Sequence, residues 1–138
     1  MNDYLTVAEG LAIHEDQIQR YGGELGVRDH GLLISALYRP QTGYYADLIE
    51  EAAALWESLA QNHPFIDGNK RTAFASTYTF LAINGARLTA EWQEIADFVA
   101  GLYGANQFSF ERLVPWLRSH VTLNPPAVPA RKRASDQE

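Results

Sequence analysis

The sequence predicts an all-α protein, a compact bundle of about six helices. Helix start and stop signals recur at nearly every boundary, and no segment sustains the polar–apolar alternation with β-branched enrichment that marks a strand. A chain of 138 residues is also the size of one hydrophobic core. We therefore expect one helical domain over residues 1–123. Residues 124–138, NPPAVPARKRASDQE, hold three prolines and no aromatic side chain, so we expect a disordered tail.

Each element follows from local chemistry. Thr6 and Glu9 have the spacing of a capping box, which starts a first helix running to about Tyr21, and Gly22 and Gly23 suit the turn that closes it. Asp29 caps a short second helix that must end near Arg39, because Pro40 disfavours helix in the residue before it. Gln41 to Ala46 then reads as a loop. Asp47 with Glu50 opens an Ala- and Leu-rich third helix to Gln61, whose apolar content marks it as buried. Asn62, His63 and Pro64 break it, and Gly68 with Asn69 supplies the turn from which a fourth helix, about Lys70 to Ile83, restarts. Asn84 and Gly85 stop that helix. Thr89 is the expected cap of a fifth helix to about Tyr103, and Ser109 that of a sixth containing Pro115. Trp56, Trp92 and Trp116 lie in apolar helical contexts and read as core. No internal repeat is present.

Composition removes several function classes. With no cysteine there is no disulfide framework, thiolate metal site or cysteine nucleophile, which suits a reducing cytoplasm. No run approaches the roughly 20 apolar residues of a membrane span, and the N-terminus lacks a signal-peptide pattern. The formal charge is −6, so direct nucleic-acid binding is not expected of so acidic a chain. A basic pair within an acidic body therefore stands out, and Lys70-Arg71 is such a pair.

That pair closes the segment His63-Pro64-Phe65-Ile66-Asp67-Gly68-Asn69-Lys70-Arg71, which concentrates an imidazole, a carboxylate, an amide, an ammonium and a guanidinium in nine residues. Gly68 and Asn69 tolerate backbone angles that turn successive N–H groups inward, and the following helix adds the positive end of its dipole, so the turn reads as an anion nest. Arg71 can chelate a phosphate bidentately, and Lys70 adds a point charge. Asp67 suits a hard cation such as magnesium (Mg2+), which one or two carboxylates typically hold together with substrate phosphates and water. A histidine titrates near ~6.5 in an unperturbed peptide, so His63 can accept a proton from an attacking hydroxyl. Together these are the parts of a phosphate-transfer site. Phe65, apolar among polar positions, is expected in the core as the anchor of the loop, and Ile66 is given no part in the chemistry.

HPFIDGNKR resembles the signature of the Fic/Doc family in the variant that Doc toxins carry. The Fic form reads H-P-F-x-x-G-N-G-R-x-x-R, with which His63, Phe65, Gly68, Asn69 and Arg71 coincide. Lys70 stands where Fic enzymes have glycine, and Phe74 where they have a second arginine. The stretch GVRDHGLLISALYRPQ from Gly26 and the Ala-rich helix before His63 are also similar to Doc proteins.

The resemblance implies a helical Fic/Doc fold and a transferase using ATP and Mg2+. Fic enzymes transfer AMP, for which Lys70 fills the room beside the nest and Phe74 removes a second phosphate grip. The Doc variant implies instead that the γ-phosphate is presented to His63, so that the product is a phosphorylated protein. The implied target is a threonine of elongation factor Tu, whose modification stops translation. His63 and Asp67 are then the catalytic base and the metal ligand. Gly68 and Asn69 form the nest, and Lys70 and Arg71 neutralise phosphate charge, Arg71 also counting among the catalytic residues. Gly43, Tyr44 and Tyr45 resemble the flap that family members lay against the target chain, and equally read as an ordinary loop. AMP transfer to a protein hydroxyl and a non-catalytic partner-binding module stay open as alternatives.

The resemblance further implies restraint by a cognate antitoxin whose disordered end folds onto the toxin. The inhibitory segment S/T-x-x-x-E-G/N that Fic proteins often carry is not found, Thr6 to Glu9-Gly10 being one residue short. His14, His30 and His120 have no partner spacing and are expected in structural or surface roles. Arg131, Lys132 and Arg133 are expected in a solvated tail.

Overall fold

The computed structural model describes residues 2–123, and six helices follow one another as expected. They are α1 (Val7–Tyr21), α2 (His30–Tyr38), α3 (Leu48–Gln61), α4 (Asn69–Ile83), α5 (Trp92–Gly104) and α6 (Phe110–His120). The only sheet among the described residues pairs β1 (Arg87–Leu88) with β2 (Val121–Thr122), antiparallel. The expected tail over 124–138, with its Arg131, Lys132 and Arg133, lies outside the described residues. Among the described residues no helix is long and apolar enough to cross a membrane.

Helix starts sit where side chains can satisfy backbone donors. At α1 the Glu9 N–H donates to Thr6 Oγ1 at 3.1 Å while the Thr6 N–H donates to Glu9 Oε1 at 2.9 Å, a complete capping box. Asp29 accepts from the Leu32 N–H and Asp47 from the Glu50 N–H, each at 3.0 Å. Pro40 ends α2 as expected, but the chain continues into a 3₁₀ turn, Arg39–Gln41, in which the proline ring is buried. The loop thus begins at Thr42, one residue later than expected.

The centre of the molecule is α3. Ala52, Ala53, Ala54, Leu55, Trp56, Leu59 and Ala60 are all at most 1% exposed, and a helix with so wide an apolar surface must be packed against from several sides. α2, α4 and α6 enclose it, and α1 closes over α2 and α4. The alanines let neighbouring backbones approach, and Trp56 fills the remaining space, its ring within 5.5 to 6.3 Å of those of Phe74, Phe108 and Trp116. The N-terminal segment is tied down by polar contacts: Asn2 and Tyr4 donate to the buried Glu51 carboxylate, and the Asn84 side chain bonds both the N–H and the carbonyl of Asp3.

Three local expectations are corrected. Thr89 does not cap α5: its N–H and hydroxyl both donate to the His120 carbonyl, because Leu88 is drawn into the core and β1 pairs with the chain leaving α6. α5 begins at Trp92, behind Glu91. Ser109 precedes α6 without a side-chain cap, and the Glu57 carboxylate of α3 takes the Phe110 N–H instead, at 2.8 Å. Trp92, expected in the core, is 72% exposed, whereas Trp56 is enclosed and Trp116 half-buried.

Trp56→Ala is predicted to destabilise the fold by about 3–5 kcal/mol through lost burial and the cavity left behind. That is a large share of an ordinary domain's stability. Urea unfolding should show a lowered midpoint at unchanged slope; an unchanged midpoint would contradict the central place given to α3.

Candidate active site

α3 ends at Gln61 with Asn62 as its cap, and α4 begins at Asn69 behind Gly68, so the segment Asn62 to Gly68 joins two helices packed on each other. Its backbone is held from three sides. From one side runs the strap Gly26 to Asp29, bridged antiparallel to the loop at Val27 and Phe65. The N–H groups of Arg28 and Asp29 donate to the Pro64 carbonyl at 2.7 and 3.0 Å, and the Ile66 N–H donates to Gly26 at 3.0 Å. The Arg28 guanidinium extends the same strap, donating through Nε to the His63 carbonyl at 2.7 Å and through Nη2 to that of Asn62 at 3.0 Å.

From α1 comes His14, 2% exposed, whose Nε2 lies 2.8 Å from the Asp67 carbonyl and whose ring stacks flat on Phe65 at 3.8 Å. Phe65 itself is 1% exposed, the core anchor expected of it, while Ile66 points outward. The third support is internal: Asn69 Oδ1 accepts from the Phe65 N–H and Asn69 Nδ2 donates to the Phe65 carbonyl, both at 2.9 Å. Asn69 thus holds the loop through its side chain. Its side-chain amide closes the loop on both sides and is committed to backbone, leaving its main chain for the nest.

Gly68 adopts φ +74°, ψ +20°, the left-handed conformation that glycine tolerates best. A Cβ there would also stand 3.0 Å from Ile18 Cδ1 and 3.3 Å from Arg71 Nη2, so a larger residue would press on both side chains as well as strain the backbone. His63 is exposed and likewise left-handed, with φ +49°.

With the backbone fixed in this way, His63, Asp67, Gly68, Asn69, Lys70 and Arg71 line one cavity of about 400 Å³. The first-turn N–H groups of α4 open onto the loop without intrahelical acceptors, and the helix dipole makes that end positive. Asp67 accepts from the Glu24 N–H at 3.1 Å and the Gly68 N–H at 2.8 Å, which hold its carboxyl below the usual carboxylate range and keep it an anion. Lys70 places Nζ 4.2 Å from the centre of the Tyr103 ring. Burial pushes the Tyr103 hydroxyl well above its ordinary pKa, so it stays neutral beneath that cation. Arg71 donates through Nη2 to the Gly22 carbonyl at 2.8 Å and lies over Tyr21, so part of its fork is already engaged.

Asp67 fits a magnesium ion only in company. Among the described residues no three His, Cys, Asp or Glu side chains cluster as a metal site, whereas one ionised carboxylate at the edge of a cavity of about 400 Å³ suits a cation that brings phosphates and water as its other ligands.

Gly43 to Tyr45 does not line this cavity. Tyr44 is 85% exposed and packs edge-on against Tyr45, whose hydroxyl accepts from Arg39 Nε at 2.6 Å. Arg39 in turn binds Glu57 and Ser58 of α3. Sequence reasoning saw no site role for Arg28, Arg39, His14 or Gly23, where a Cβ would meet Asp67 Oδ2 at 2.8 Å. The contacts of Arg28, of Arg39 with Glu57 and Ser58 and of His14 span 18 to 53 positions along the chain, and no local spacing could announce them.

A second cavity, about 420 Å³, adjoins the first and shares Lys70 and Arg71 with it. It is an apolar groove between Tyr21 of α1, Phe74 of α4 and Trp92, Ile95 and Val99 of α5.

Comparison with known proteins agrees with the motif. Residues 4–81 match the model of the Fic/DOC family. The chain is 53% identical over 77 residues to the "Toxin Doc" of Mycolicibacterium smegmatis, a match covering 52% of this chain and 59% of that protein. It thus spans less than two thirds of that relative's length. It is 34% identical over 102 residues to the "Protein kinase doc" of Escherichia phage P1, covering 71% of this chain and 80% of the phage protein. On the family match over more than half its length, the chain belongs to the Fic/DOC family.

Proposed function

We propose that this chain is the toxin of a toxin–antitoxin module, a protein kinase that moves the γ-phosphoryl group of ATP onto a serine or threonine hydroxyl of a cytoplasmic target. Elongation factor Tu is the first target to test. The observation that carries the reading is the cavity in which an exposed imidazole, an ionised carboxylate, two cations and a helix N-terminus face the same space. The two relatives, named as a toxin and as a protein kinase, support the same reading.

In this proposal the target's hydroxyl oxygen bonds to the γ-phosphorus, the bond from that phosphorus to the ADP oxygen breaks, and the hydroxyl proton passes to His63. Gly68 and the main chain of Asn69 cradle phosphate oxygens, with Lys70 and Arg71 opposing their charge. Such fixed electrostatics is most of what phosphoryl transfer requires of a protein. Magnesium, held by Asp67, would supply charge neutralisation between phosphates. Lys70 and Phe74 favour phosphoryl over AMP transfer: the lysine occupies the room beside the nest, and Phe74 packs among Trp56, Tyr78 and Trp92 where an arginine would grip a second phosphate. Residues 1–123 are the working unit in this reading, and Gly43 to Tyr45 its target flap.

Restraint falls to an antitoxin. The groove beside Lys70 and Arg71 is apolar and flanked by the exposed Tyr21 and Trp92, so an amphipathic segment folding into it would also cover both phosphate cations.

Elongation factor Tu incubated with the chain, ATP and magnesium is predicted to gain the mass of one phosphoryl group, with label arriving from the γ- and not the α-phosphorus. A gain of one AMP would overturn the phosphoryl reading. His63→Ala is predicted to lower the transfer rate roughly 10²- to 10⁴-fold, the usual contribution of a general base, at unchanged helical content since the ring is exposed. Trp92→Arg is predicted to keep transferase activity and lose neutralisation; growth of cells co-expressing the antitoxin reads this out, and unaltered rescue would move the antitoxin elsewhere.

A further inference from the structure

Three consecutive carbonyls at the start of the loop accept from one residue. Arg28 donates to Asn62 through Nη2, to His63 through Nε and to Pro64 through its main-chain N–H. The first two carbonyls stand at the C-terminal end of α3, the negative end of its dipole, where carbonyls lack helical partners. A planar guanidinium can meet two of them together. Among the described residues no carboxylate lies within ion-pair distance of Arg28, so its charge is committed to this helix end.

What lies between the two side-chain bonds is the backbone of His63, in the left-handed conformation that histidine adopts only sparingly. Left-handed and right-handed backbones send Cβ in different directions, so whatever holds φ at +49° also aims the imidazole. Pro64 follows, and its own carbonyl is pinned by Arg28 and Asp29. His63 is thereby clamped on the side of its carbonyl while its side chain is left exposed to the cavity.

We infer that Arg28 is a positioning residue for His63: by holding the carbonyls of Asn62 and His63 it keeps the base in its left-handed backbone and pointed into the cavity. The inference rests on the proposed role of His63 as the base, and on no contact of Arg28 with substrate.

The test compares the wild-type chain with Arg28→Gln, Arg28→Lys and Arg28→Ala, reading transferase kinetics and residue-resolved amide hydrogen exchange on the same preparations. Arg28→Gln and Arg28→Ala are expected to lower kcat by about 10- to 100-fold, the scale of a small misplacement of a reacting group, with KM for ATP unchanged. Exchange at Phe65 and Ile66 should quicken while Phe80, in the core of α4, stays protected. Lysine should not rescue, since one ammonium cannot span both carbonyls in the guanidinium's geometry. Added methylguanidinium should partly restore the alanine variant. Unchanged exchange at Phe65 and Ile66 in all three variants overturns the inference, as does an unchanged kcat in an active enzyme. Full rescue by lysine overturns it too, because charge alone would then suffice. Should the wild type transfer nothing, the functional reading falls, and the exchange measurement still decides whether Arg28 holds the loop.

Discussion

The segment between α3 and α4 has to end a buried helix, turn, and begin another within seven residues, and it must do so with its polar backbone satisfied. Unpaired backbone groups near a core are costly, so their partners dictate the architecture around them. Arg28 and Asp29 take the carbonyls of Asn62, His63 and Pro64, Asn69 takes both polar groups of Phe65, Gly26 takes the Ile66 N–H, and His14 meets the Asp67 carbonyl. Apart from those of Asn69, the ties come from α1 and the strap after it, which explains why both must lie against the loop. The chemistry-bearing side chains are what remains once the backbone has been fixed.

Packing supports this arrangement from below. Phe65 plugs the loop into the core and stacks on His14, while α3, packed against from several sides, fixes where the loop begins. Glu57 does two jobs at that end of α3, accepting from Arg39 with one oxygen and from the Phe110 N–H with the other. The Gly43 to Tyr45 segment and the start of α6 are thus referred to the same turn of α3 that leads into His63.

Both signs of charge meet in the site. Asp67 is kept ionised by backbone donors and by the Arg71 charge near it, in a chain that is acidic as a whole. Neither cation is paired with a carboxylate among the described residues: Lys70 rests on an aromatic face and Arg71 on a carbonyl. Both therefore keep their charge available to an anion. The same two residues form the wall between the polar cavity and the apolar groove, so occupation of one space bears directly on the other.

Much of this was legible in the sequence. Helix class, the Thr6, Asp29 and Asp47 caps, the breaks at Pro40, Gly68 and Gly85, and the family were readable because each rests on neighbours a few residues apart, where backbone geometry and capping chemistry act. So was the gathering of His63, Asp67, Lys70 and Arg71, since nine residues bent by one glycine turn cannot scatter far. What sequence missed depends on distant segments. Thr89 became a strand neighbour because the chain leaving α6 lies beside it, Glu57 replaced Ser109 as the cap of α6, and Trp92 stayed exposed because, among the described residues, no helix covers it. His14 and Arg28 became supports of the loop. The sequence by itself determined which polar side chains gather in the loop between α3 and α4, through short-range spacing; only the tertiary structure decided which residues hold that loop, because hydrogen bonds that span tens of residues form only when the helices have packed.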